Sequence, residues 1–116
     1  MKITRLYCDS SGETHFEDRE VELRDAGEIG HLSEPRSAGA VIFRTTDADY
    51  DFDWHHAPAR QYVVMLEGRV EVEASDGEKR VLGQGEILLV EDTWGKGHRS
   101  RSLDNMHRKS LFITLD

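Results

Sequence analysis

Residues 69–74, RVEVEA, alternate apolar and charged side chains, and no stretch of the chain shows a comparably clear 3.6-residue period. Successive side chains of a strand point to opposite faces, so Val70 and Val72 are expected to face an interior while Glu71 and Glu73 face water. The pattern selects a half-buried β-sheet and argues against a helical bundle. It lies inside a longer unit, RQYVVMLEGRVEVEASDGEKRVLGQGEILLVED (residues 60–92), which reads as four strands in a meander. RQYVVMLE is almost wholly apolar after Gln61, as expected of a strand covered on both faces. Gly68 interrupts the run, Ser75, Asp76 and Gly77 supply a hairpin turn, and the GQG at 83–85 supplies another.

Upstream, ITRLY, THFEDREVEL and GAVIFRTT read as further strands, the last rich in β-branched residues. Downstream, residues 98–103 and KSLFITLD read as two more, separated by the LDNMH turn. DAGEIGHLSE has loop composition and receives no regular element. Short strands punctuated this regularly point to a sandwich or a barrel. A chain of 116 residues has enough length for one core, so one domain and one site are expected.

Composition narrows the partners. Fifteen basic against twenty-three acidic residues leave a formal charge of −8, which disfavours nucleic acid or an anionic membrane as the main partner and favours a small molecule or a protein. The one cysteine, Cys8, forms no intramolecular disulfide and completes no thiolate zinc motif. MKITRLYCDSSGETHF lacks the apolar core of a signal peptide and no run approaches a membrane span, so a soluble cytoplasmic protein is expected.

Of the histidines, His15, His31 and His107 sit in polar contexts that suit solvated side chains, which leaves His55, His56 and His98. On a strand, His55 and His56 must point to opposite faces. Gln61 opens the apolar strand in phase with Val63 and Met65, and His98 is in phase with Ser100 and Ser102. Imidazole nitrogens suit Fe, Zn, Ni, Cu or Mn, and a carboxamide oxygen adds a neutral ligand. His55, Gln61 and His98 are therefore the candidate metal ligands, with hydrogen-bonded structural histidines as the competing reading.

WHHAPARQYVVMLEGRVEV followed by LGQGEILLVEDTWGKGH resembles the two motifs of the cupin superfamily. The first motif carries a histidine, one residue, a second histidine, a short gap, a glutamate, six residues and a glycine. Gly68 fixes the register and puts Gln61 at the glutamate position, with His55 and Ala57, or Trp54 and His56, on the histidine positions. In the second motif Gly85, Glu86 and ILLV match the opening strand, Glu91 and Thr93 replace a proline and a glycine, and His98 is displaced two residues by the inserted GKG. The likeness spans roughly residues 38–115 and extends to short uncharacterised cupins with W-H-x-A-P-x-R-Q-Y and D-T-x-G-K-G-H patterns.

The resemblance implies an all-β, cupin-type double-stranded β-helix, a jelly-roll barrel of one domain, with strands of residues 1–36 packing on a barrel core of residues 38–115. It also implies a homodimer. A typical cupin site offers three imidazoles and a carboxylate; a neutral amide at Gln61 removes one compensating charge from a divalent ion and should weaken its binding. Around that site, Arg44 and Lys96 are candidate cationic donors, while Trp54, His56, Tyr62 and Ser100 are candidate walls or hydrogen-bonding groups for a small polar or anionic ligand. Two readings stay open. One is a metal-dependent enzyme of oxygenase, isomerase or lyase type using Fe, Mn, Ni or Zn; the other is a metal-free ligand-binding module without catalysis. No phosphate-binding glycine loop, nucleophile elbow or helical HExxH is present.

Overall fold

The computed structural model describes residues 1–115. Twelve strands are formed: β1 (Lys2–Cys8), β2 (Thr14–Glu20), β3 (Arg24–Asp25), β4 (His31–Leu32), β5 (Val41–Thr46), β6 (Asp51–His55), β7 (Gln61–Glu67), β8 (Val70–Ala74), β9 (Lys79–Leu82), β10 (Ile87–Val90), β11 (His98–Ser102) and β12 (Arg108–Thr114). They make a six-stranded sheet in the order β2-β1-β10-β7-β12-β5, a four-stranded sheet β6-β11-β8-β9, and the two-stranded pair β3-β4. The large sheet is mixed, because β1 runs parallel to β10. DAGEIGHLSE, expected to be irregular, contains a 3₁₀ turn at Gly27–Ile29 flanked by the short β3-β4 pair.

The two larger sheets share one core. Leu6, Phe16, Val63, Met65, Leu88 and Val90 come from the six-stranded sheet and Val70, Val72, Ala74 and Leu82 from the four-stranded one. Burial of each such aliphatic side chain contributes about 1.5–3 kcal/mol. The period-two reading of RVEVEA holds: Val70, Val72 and Ala74 are buried, and Glu71 and Glu73 are half-exposed.

The expected jelly-roll barrel does not form. The three sheets are separate, and no ladder joins an edge strand of the six-stranded sheet to an edge strand of the four-stranded one among the described residues. Resemblance to the cupin superfamily therefore fails at the level of architecture. Alternation specifies which face of a strand is buried but not whether sheet edges close on one another. The four-strand meander is also redistributed. β7 and β10 pair with each other in the large sheet, while β8 and β9 pair in the small one. The chain changes sheets at Gly68, whose φ of +84° places the backbone where a Cβ would come within 2.7 Å of the His107 carbonyl oxygen.

The β1–β2 hairpin is tied to the rest through buried Thr14, which donates its hydroxyl to the Gly97 carbonyl at 2.8 Å and accepts the Ser75 N–H at 2.6 Å. Beside it, His15 lies between Asp9 (Nε2 to Oδ2, 2.7 Å) and Asp76 (Nδ1 to Oδ2, 2.9 Å). The hydrogen bond to Asp9, then that to Asp76, raises the His15 pKa, and the same bond to His15 is the main reason Asp9 lies well below the usual carboxylate range. Because the raised group is a base, its stabilisation is complete below the ordinary value of 6.5 and is lost as pH rises through the higher folded value. Asp9 contributes above its ordinary 3.8, and that contribution fades as acid approaches its lower folded value. Stability from this cluster is thus greatest between the two ordinary values. His15→Gln should flatten the fall in thermal midpoint between about pH 6 and pH 8, as followed by calorimetry; an unaltered slope would remove the cluster from the pH response.

Candidate functional site: a cavity between the sheets

A cavity of about 370 Å³ opens between the two larger sheets. Part of its lining is aliphatic, with Val63, Val70, Val72, Leu88 and Val90. The rest includes Arg44, Tyr50, Phe52, His55, Gln61, His98, Ser100, Arg108 and Phe112. Among the described residues, no Asp, Glu, Lys or Cys lines it. Two other depressions are lined largely by surface charges, such as Asp18 and Arg80 in one and Arg99 and Arg101 in the other. Those arginines are already paired, Arg80 with Asp18 and Glu78, Arg99 with Glu73 and Arg101 with Glu71.

Two local devices bring the histidines together. Gly95 and Gly97 of the GKG segment adopt φ of +83° and +76°, and the backbone passes close to Gly12 and Cys8 at the first and close over the end of β6 at the second before entering β11. β6 then pairs with β11 through a bulge: His98 is opposite His55, but Ser100 is opposite Phe52. Residues 52 and 55 would point to opposite faces of a regular strand, and the extra residue lets both line the cavity. The ring centroids of His55 and His98 are 4.5 Å apart, and Phe52 meets His55 edge-on at 4.3 Å.

The two imidazoles are held differently. His55 Nδ1 lies 2.7 Å from the Asp53 carbonyl oxygen, so it carries the proton and donates. Burial pushes its pKa down, and the neighbouring His98 acts in the same direction. His98 Nδ1 lies 2.5 Å from Asp92 Oδ2. Asp92 is 0 % exposed, and its Oδ1 has no hydrogen-bond partner among the described residues. With Nδ1 engaged, Nε2 is the nitrogen His98 has left for the cavity.

Elsewhere in the lining, Arg108 is buried, at 7 % exposure, and burial lowers its pKa. Its guanidinium sits 5.0 Å over the Tyr50 ring, and Nε donates to Ser102 Oγ at 3.2 Å. Arg44 lies 5.6 Å from the same ring and 5.2 Å from Phe112. Neither arginine has a carboxylate within ion-pair distance among the described residues. Arg5, Arg19, Arg24, Arg60, Arg69, Arg80, Arg99 and Arg101 all do.

The structure brings His55, Gln61, His98, Arg44 and Ser100 to one cavity. It does not bring the other expected ligand-binding residues there. Lys96 is exposed and paired with Glu13 at 2.5 Å. Tyr62 faces outward and accepts from Arg36 at 3.1 Å. Trp54 lies outside under Arg99, 5.1 Å from its guanidinium carbon, and His56 Nδ1 is near only its neighbour's carbonyl, Ala57 O, at 3.5 Å. The expectation of a metal-binding cupin site is corrected as well. Among the described residues no group of three His, Cys, Asp or Glu side chains could hold a metal ion. Gln61 adds only a neutral amide to His55 and His98, so no charged third ligand joins the two imidazoles among the described residues.

Sequence reasoning missed Asp92, Arg108, Tyr50, Phe52 and Phe112. Arg108 was within reach, since Ser110 and Phe112 share its phase on the last strand. Asp92 was not, because its link to His98 crosses the whole GKG turn.

No family model matches the chain, and no curated protein matches it. Among solved structures, it is similar to the protein NMB1881 from Neisseria meningitidis, at 23 % identity and a TM-score of 0.50, over 71 % of this chain and 78 % of that one. That likeness concerns the fold alone. No helix among the described residues is long and apolar enough to cross a membrane.

Proposed function

We propose that the chain binds a small aromatic carboxylate in the cavity between its sheets, without the metal expected from the sequence. The observation that carries this reading is the pair Arg44 and Arg108, two guanidiniums without a carboxylate partner among the described residues, lining the same cavity. Arg108, removed from water, is stabilised by an anion, and Arg44, although exposed, offers a planar carboxylate a second set of forked donors. The stacked Tyr50 and Phe52 rings, 6.0 Å apart, and the aliphatic part of the lining suit an apolar, flat body attached to that carboxylate.

Calorimetric titration tests it with phenylacetate, phenylpyruvate and the neutral phenylacetamide. A charge-assisted hydrogen bond contributes about 1.5–3 kcal/mol, so the carboxylates should bind at least about tenfold more tightly than the amide, and Arg44→Ala should remove most of that preference. Equal affinity for acid and amide, or no binding of either carboxylate, would overturn the reading.

A further inference from the structure

We propose that the Asp92–His98 pair makes this cavity a proton-transfer site, acting on a 2-oxo carboxylate held by Arg44 and Arg108. This rests on the anion-binding reading above and adds a reaction to it. Among the described residues the cavity lining has no cysteine, lysine or carboxylate, and the hydroxyl of Ser100 lies 3.2 Å from the Tyr50 hydroxyl. No imidazole lies within hydrogen-bond distance of that serine among the described residues, so nucleophilic catalysis lacks an activated atom. What the cavity does hold is an imidazole backed by a buried carboxylate, with two guanidiniums in the same lining. Asp92 accepts from Nδ1–H of His98, which fixes the tautomer with the lone pair on Nε2 and stabilises the imidazolium that forms when Nε2 takes a proton. The unpartnered Oδ1 of Asp92, fully buried, is polar capacity that the fold leaves unused.

The step balances without a further reactant. His98 Nε2 removes a proton from the carbon next to the ketone, and the C–H electron pair forms a carbon–carbon double bond. The carbonyl π electrons move to oxygen, giving an enolate beside the guanidiniums. Return of the proton to oxygen gives the enol, and return to carbon regenerates the ketone. His98 is the catalytic residue here, and Asp92 is a positioning residue that acts through it.

The experiment follows phenylpyruvate in deuterated buffer by proton NMR, reading loss of the C3 proton signal, with binding of the same compound measured in parallel. The wild-type protein should accelerate exchange above the buffer rate. His98→Gln should abolish the acceleration, a loss on the order of a hundredfold or more, while phenylpyruvate still binds. Asp92→Asn should lower exchange similarly and shift its pH profile, an effect that a purely structural carboxylate would not produce. If Asp92→Asn does not fold, His98→Gln alone decides. Binding of phenylpyruvate with exchange at the buffer rate would overturn proton transfer and leave anion binding standing. Absence of binding would overturn both.

Discussion

Gly97→Ala is expected to destabilise the fold by about 3 kcal/mol or more, combining a left-handed backbone cost of roughly 1–2 kcal/mol with overpacking of roughly 1–3 kcal/mol. At φ +76° an alanine is strained before any contact is considered. Its Cβ would also fall inside the van der Waals envelope of the His55 carbonyl oxygen and within 2.9 Å of the His56 nitrogen. Both neighbours are backbone, so no rotamer change relieves them, and retreat of β6 would break the His98–His55 pairing that the bulge sets up. The Gly97 carbonyl also accepts from buried Thr14, so a displaced turn loosens the first hairpin. Gly77→Ala is the control. Its φ is +95°, yet nothing lies within 4 Å of the added carbon, so only the conformational cost remains. Urea denaturation of both variants separates the two contributions, and a Gly97→Ala loss no greater than that of Gly77→Ala would show that β6 yields without penalty.

The same close approach explains where sequence reasoning stopped. Alternation in RVEVEA located the buried face of β8 because period two is a local consequence of the pleat. The positions of the turns were legible for a similar reason: Gly68, Gly77 and Gly85 all adopt the positive φ that glycine permits. Where the chain goes after each turn was not legible. A glycine marks a change of direction, but whether β8 continues the sheet of β7 or crosses to another depends on which partner strands arrive from further along the chain. Here β7 receives β10 and β12, while β8 receives β9 and β11. Repeated strands with glycine turns are compatible with a barrel and with stacked sheets alike, and motif likeness between residues 54 and 98 favoured the wrong one.

Site residues divided along a related line. His98, Gln61 and Arg44 all line the cavity, and for Gln61 the phase shared with Val63 and Met65 on β7 is the local reason. Trp54, Tyr62 and Lys96 were drawn in by proximity in sequence, although Tyr62 must oppose Gln61 on β7 and Lys96 is turned outward to Glu13. Phe52 could not be assigned from phase at all, since the bulge in β6 reverses its side relative to His55. The metal-binding reading lacks a charged third ligand: His55 and His98 do converge, but no group of three His, Cys, Asp or Glu side chains forms among the described residues, and Gln61 adds only a neutral amide.

Arg108→Met should separate stability from function in opposite directions: anion affinity falling by about a hundredfold as a charge-assisted contact is lost, and conformational stability unchanged or raised by about 1–3 kcal/mol. The buried guanidinium has been stripped of water without gaining a carboxylate among the described residues, and burial is the main cause of its lowered pKa. Folding therefore carries the cost of a desolvated cation, offset in part by the Tyr50 ring and one hydrogen bond to Ser102. Methionine keeps a long, adaptable side chain against the apolar neighbours and has no charge to desolvate. Ser102 is not orphaned by the change, because its hydroxyl also donates to the Asp47 carbonyl at 3.0 Å. Denaturation midpoints and phenylpyruvate titration of the same variant supply both readouts. A variant destabilised by more than about 1 kcal/mol, the net value of one ordinary hydrogen bond, with affinity intact, would make Arg108 a structural strut. A variant that is no less stable but no longer binds carboxylates would identify the buried cation as one that folding tolerates for the sake of a ligand.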